Sequence, residues 1–161
     1  MMQMRRRERR MRVSDTEALL HTAQVGRLGL CDAGRPYLLP VHFVYVRGAI
    51  YVHSAPEGRK VRVLQANPCC CVEVDEFLGV TRGETPCRCG AYYRSGIASC
   101  TATWVTDSEA KRTVLTAFTA KYAGDEPKPQ FSDDALDAVT VIKLTIDDLS
   151  GKQRLPTARG G

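Results

Sequence analysis

No stretch of this chain approaches the run of about 18 apolar residues that a membrane-spanning helix needs, so no membrane span is expected. Histidine is scarce, at three residues, and tryptophan occurs once, as Trp104. A Gly-x-Gly-x-x-Gly turn between a strand and a helix is missing, which removes the usual dinucleotide fingerprint. Excess charge is missing from most of the chain as well. Arg5, Arg6, Arg7, Arg9, Arg10 and Arg12 face only Glu8 in the first twelve residues, and this stretch accounts for the whole net charge of +5. The other 149 residues balance, whereas a nucleic-acid-binding domain spreads its cations over the folded face that meets phosphates. Residues 1–12 therefore read as a solvated basic arm without an apolar anchor, with an RNA- or anionic-surface-binding arm as the sharper alternative, and a nucleic-acid partner is not expected.

Seven cysteines are present, but their spacing is poor for a metal. Cys69, Cys70 and Cys71 alternate between the two faces of a strand. Contiguous ligands of that kind cannot close a tetrahedral site, and Cys87-Arg88-Cys89 has one intervening residue where zinc or iron–sulfur knuckles use two or more. The triplet reads as core packing and no metal is expected. Cys87 and Cys89 read as a loop pair, with a redox-sensitive thiol pair as the sharper alternative. An odd count of cysteines, with no apolar signal stretch after the arginines, suits free thiols in a reducing cytoplasm.

With 161 residues, 43% hydrophobic and 25% charged, the chain has the make-up of one globular domain. We place it at 13–152, between the arm and a polar tail at 153–161. Ser14 and Glu17 have capping-box spacing ahead of a short helix at 15–22. Short β-type runs at 25–31, 37–46 and 49–54 follow, separated by Asp32-Ala33-Gly34 and Arg47-Gly48, turns too tight for a crossover helix. A helix is expected at 58–67, a strand at 69–74, a loop at 76–89 and a long strand at 90–105. Thr106 and Glu109 suggest a second capping box, for a helix with Val114, Leu115, Phe118 and Tyr122 on one side and Gly124 as its stop. The last strand is placed at 138–146. The rhythm predicts a mainly β protein with flanking helices, its strands curled into an antiparallel barrel that hides its edges. The run 37–46 is apolar almost throughout, which suits a strand covered on both faces, the second cover being a partner subunit.

Two stretches carry candidate chemistry. In His53-Ser54-Ala55-Pro56-Glu57-Gly58-Arg59-Lys60 a strand hands over to a helix whose first amides point outward, with a hydroxyl and two cations at hand, a combination suited to an anion. In Tyr93-Arg94-Ser95-Gly96 an arginine and a serine share a strand where glycine permits close approach. His42 lies in an apolar run and His53 at a strand end.

These stretches, together with Arg27-Leu28-Gly29-Leu30, Gly34-Arg35-Pro36-Tyr37, Pro40-Val41-His42-Phe43 and Ser150-Gly151-Lys152, occur in an order that resembles the flavin-binding split-barrel proteins. The chain is similar to the branch of the pyridoxamine 5'-phosphate oxidase-like superfamily that contains the nitroimidazole-resistance proteins. The resemblance implies a six-stranded antiparallel split barrel and a homodimer with FMN at its interface. It implies that Pro40, Val41, His42 and Phe43 run along the isoalloxazine ring and that His53, Ser54 and Ala55 line the ring and ribityl chain. Arg59 and Lys60, with Arg94 and Ser95, would hold the phosphate. No catalytic residue is assigned, since a flavin carries its own redox chemistry. The implied activity is reduction of a small-molecule electron acceptor, a nitro compound or a quinone, from a nicotinamide or another donor. The alternative is a non-catalytic module that binds FMN, haem or a deazaflavin for storage or sensing. The chain's end, Gln153-Arg154-Leu155-Pro156, only faintly resembles the oxidase's substrate motif and no tryptophan lies near it, so vitamin oxidation itself is not expected.

Overall fold

The computed structural model describes residues 5–124 and 130–156. Its strands are β1 (Gly26–Asp32), β2 (Arg35–Val41), β3 (Val44–Val46), β4 (Ala49–Ser54), β5 (Cys69–Thr81), β6 (Gly90–Val105) and β7 (Thr140–Arg154). Its helices are α1 (Val13–Thr22), α2 (Arg59–Ala66), α3 (Ser108–Ala123) and the single turn α4 (Asp133–Asp137). All neighbouring strands are antiparallel, in the order β2-β1-β5-β6-β7-β4-β3.

The sheet therefore has seven strands where six were expected, because the run 37–46 is broken. Its first half pairs with β1 at one edge and its second half with β4 at the other. In a flat sheet six strand spacings would separate those edges by about 29 Å. Only His42 and Phe43 connect β2 to β3, and three Cα steps reach about 11 Å at most. The sheet must curl until its edges nearly meet, and β2 and β3 remain unpaired with each other. This is a split barrel.

The barrel interior is filled by Leu28, Phe43, Ile50, Val72, Ile142 and Leu144, all fully buried. A second cluster packs Val114, Leu115 and Phe118 of α3 against Val44 and Val141. Val44 and Tyr45 are thus covered within the chain, Val44 beneath α3 and Tyr45 inside the barrel with its hydroxyl donating to Glu17 at 2.8 Å. Val44 and Tyr45 need no partner subunit, because α3 and the barrel cover them, whereas Leu38 in the first half of the run stays 66% exposed.

Several boundaries move for local reasons. α1 starts two residues earlier than the capping-box spacing predicts: Arg12 is the N-cap without a capping side-chain bond, and its guanidinium pairs with Asp15 at 2.9 Å. Asp107, not Thr106, caps α3, its carboxylate accepting from the Ala110 amide at 2.7 Å. β5 continues through the expected loop to Thr81, passing an irregularity in register between Phe77 and Gly79, so the β5–β6 hairpin projects past the barrel. β7 likewise continues through Gln153 and Arg154, which pair with Arg94 and Tyr93. The basic arm does have an apolar anchor at its end. Met11 is 5% exposed, its amide donates to the Gly151 carbonyl at 2.9 Å, and Arg10 bridges to Lys152. No helix among the described residues is long and apolar enough to cross a membrane.

Candidate functional site

β4 ends at Ser54, and α2 begins five residues later behind Gly58, whose φ of +136° suits glycine alone. Glycine here offers no side-chain oxygen, so the amides of the first turn of α2 have no side-chain cap. Such amides bear partial positive charge and bind anions. Lys60 rises from the same turn. It is half-buried, its Nζ lies 3.4 Å from the His53 carbonyl oxygen, and it has no ion pair among the described residues. Burial holds its pKa below the usual lysine value. Arg59 turns the other way, reaching Asp32 at 2.8 Å and lying 4.2 Å over the ring of Tyr37.

His53 and His42 border this anion site. The His53 ring meets Phe118 edge-on at 4.6 Å, and its pKa is lowered, first by burial and then by Lys60 and His42. The neutral imidazole keeps one donor and one acceptor nitrogen. His42 is exposed, its ring 4.8 Å from that of Tyr122. Val41 and Phe43 are buried on either side of His42, while Pro40 and Ala55 are exposed.

Outside both strands, Phe43 loses its ladder partners, and α3 replaces them. The Tyr122 hydroxyl accepts from the Phe43 amide at 3.0 Å and lies 2.8 Å from the Gln24 carbonyl and 2.9 Å from that of Phe43. Lys121 donates to the Phe43 carbonyl at 3.0 Å and sits 4.0 Å over its ring. Sequence reasoning reads Tyr122 as a packing residue and passes over Lys121. Nothing local signals their role, because the contacts span 78 and 79 residues of chain.

Burial lowers the Lys121 pKa from 10.5 to about 8. Between those values the unfolded chain carries a proton that the folded chain has released, so this group's contribution to stability rises with pH across that window and is flat below it. Denaturant titrations at pH 7.5 and 9.5 are expected to show wild type gaining stability relative to Lys121→Met; an unchanged difference would remove the buried-lysine assignment.

Arg94 and Ser95 lie elsewhere in the chain. Ser54 pairs with Thr140 and Ser95 with Lys152, positions twelve residues apart on β7, a path of about 40 Å along the strand. Arg94 sits 3.8 Å from Glu76, and the Ser95 hydroxyl donates to the Lys152 carbonyl at 3.4 Å. A single chain thus gathers His42, His53, Ser54, Arg59 and Lys60, and leaves Arg94 and Ser95 apart.

No group of three His, Cys, Asp or Glu side chains that could hold a metal occurs among the described residues. Of the cysteine triplet only Cys70 turns inward, toward Cys100. Burial pushes both thiols up to about 12, whereas Cys69 and Cys71 are exposed, contrary to the core-packing expectation for all three.

A family model described as pyridoxamine 5'-phosphate oxidase matches residues 12–153. Among solved structures, a candidate 5-nitroimidazole antibiotic resistance protein from Bacteroides thetaiotaomicron is similar at 28% identity, with 89% of this chain and 85% of that chain covered and a TM-score of 0.77. A flavocytochrome from Azotobacter vinelandii reaches a TM-score of 0.86 at 19% identity, over 99% of this chain and 75% of the other. A FAD- and haem-binding protein from Mycobacterium smegmatis reaches 0.81 at 22% identity, over 91% and 74%. No curated protein sequence matches.

Proposed function

The chain belongs to the pyridoxamine 5'-phosphate oxidase family, and on that premise we propose that it is a flavoprotein whose flavin phosphate is held by Lys60 and the first turn of α2. The observation that carries this reading is the half-buried Lys60 beside uncapped helix amides, with no carboxylate paired to it among the described residues. A cation left so is matched by an anionic ligand, and one lysine, three amides and a serine hydroxyl suit a phosphate. FMN is the smallest flavin that meets those contacts. His53 and Ser54 stand between the anion site and the exposed His42, whose side chain suits the edge of a flat ring, while the Phe43 main chain beside it is already bonded to Tyr122 and Lys121. The flavocytochrome and the FAD- and haem-binding protein, similar in fold, support a cofactor of this class.

When bound, the flavin supplies the electron-accepting and electron-donating centre. The chain's residues hold its phosphate, orient its ring and leave one face open to a small electrophile, which we take to be a nitro compound or a quinone. The protein acts as a homodimer, joined through the outer face of the sheet. That face carries Leu38, 66% exposed, and Ile97, 48% exposed, on a surface no described helix covers. In such a dimer Arg94 and Ser95 of the second copy reach the flavin that Lys60 of the first copy holds. Ile97→Glu is therefore expected to lower dimer content and flavin occupancy together; scattering that shows an unchanged dimer would move the interface elsewhere.

Protein purified from cells is expected to be yellow and to release about one flavin per chain on denaturation. NADH or NADPH with a nitroaromatic acceptor then separates the two readings. Turnover supports the oxidoreductase, and a yellow protein that no donor reduces supports a binding protein instead.

A further inference from the structure

We propose that the chain has a second small-molecule site, separate from the flavin and independent of that reading, which takes a small carboxylate with an apolar body. A cavity of about 250 Å³ opens between the β3–β4 turn and the first two turns of α3. Neither Lys60, His42 and His53 of the anion site nor Leu38 and Ile97 of the dimer face line it. Its floor is apolar, made of the buried Val114 and the half-buried Val46 and Val105. Two cations, Arg47 and Lys143, and two hydroxyls, on Tyr51 and Thr113, line the rest. Tyr51 and Lys143 pair directly across β4 and β7, so both side chains leave the same face of the sheet.

Among the described residues no carboxylate lines this cavity, neither cation has an ion pair, and neither hydroxyl has a hydrogen-bond partner. Arg47 also sits in the left-handed region, with φ of +49°, followed by Gly48 at +78°. A two-residue hairpin turn of this kind favours Asn, Asp or Gly at its first position, and a long side chain there strains the backbone. The turn itself has no use for a guanidinium; what the arginine adds is a cation at the cavity rim. Its planar fork suits a carboxylate, Lys143 adds a point charge, and the two hydroxyls can donate to the remaining lone pairs. The valine floor selects for an apolar body behind that charge. Drug-sized ligands occupy about 300–1,000 Å³, so this smaller cavity suits a molecule of one ring and one carboxylate, such as benzoate.

The test is calorimetric titration of the purified full chain with benzoate, beside benzyl alcohol, which lacks the charge, and inorganic phosphate, which lacks the ring. We expect about one benzoate per chain with a Kd below about 1 mM, and both partial probes at least about tenfold weaker. Lys143→Met and Arg47→Gly should each weaken benzoate about tenfold or more, since each removes a charge-assisted bond. Arg47→Gly should also melt no lower than wild type, because glycine suits the left-handed turn, so its lost binding is not lost folding. Lys60→Ala should bind benzoate as wild type does, and FMN should not displace it. The site is overturned by any of four results: no saturable benzoate binding, binding that both cavity variants leave intact, phosphate as tight as benzoate, or competition with FMN.

Discussion

Replacing Lys60 with alanine is expected to lower FMN affinity about ten- to hundredfold while riboflavin, which has no phosphate, binds as before. A charge-assisted hydrogen bond is worth about 1.5–3 kcal/mol and each 1.4 kcal/mol is about tenfold in affinity. Among the described residues Lys60 bonds only to a carbonyl at 3.4 Å, so the variant should keep its fold. Arg59→Ala is the contrasting case, since Arg59 already spends its charge on Asp32 at 2.8 Å. Its loss should weaken FMN less. Equal FMN affinity in Lys60→Ala and wild type would put the phosphate at another set of donors.

The largest expected effect on stability comes from Phe43→Ala. Phe43 is fully buried at the break between β2 and β3, and a Phe→Ala change at such a site costs about 3–5 kcal/mol. Against a total of about 5–15 kcal/mol for a typical domain, that approaches unfolding. The neighbouring His42→Ala, at an exposed position, should change stability by less than about 0.5 kcal/mol. The pair of denaturant titrations thus tests whether the break is held from inside the barrel. Comparable losses in both variants would mean that His42, not Phe43, pins it.

That break is also where the sequence stops being informative. An apolar run from Tyr37 to Val46 has the composition of one strand, and nothing in it marks the point at which it leaves one sheet edge for the other. The reason lies far away, in Tyr122 and Lys121, whose bonds to the Phe43 main chain are made only once α3 has packed over Val44. The start of α2 was legible because its signals are local: Gly58 for a left-handed turn, Lys60 one residue into the first turn and Ser54 at the strand end. The order of the motifs indicated the split barrel, which the architecture bears out. The resemblance groups Arg94 and Ser95 with Lys60, and the β6–β7 register sets them far along the strand within one chain. Residue type alone cannot carry such a distance. The anchor at the arm's end is hidden for a similar reason: Met11 is one apolar residue after a run of arginines, and its amide meets the distant Gly151 carbonyl.

The most direct test of the central claim is a titration of the purified wild-type chain with FMN, followed by visible absorbance and by scattering mass in the same cell. The account predicts saturable binding of about one FMN per chain in a dimer, with riboflavin at least about tenfold weaker because it lacks the phosphate that Lys60 and α2 hold. A chain that stays colourless with FMN, or that binds riboflavin as tightly as FMN, would contradict it.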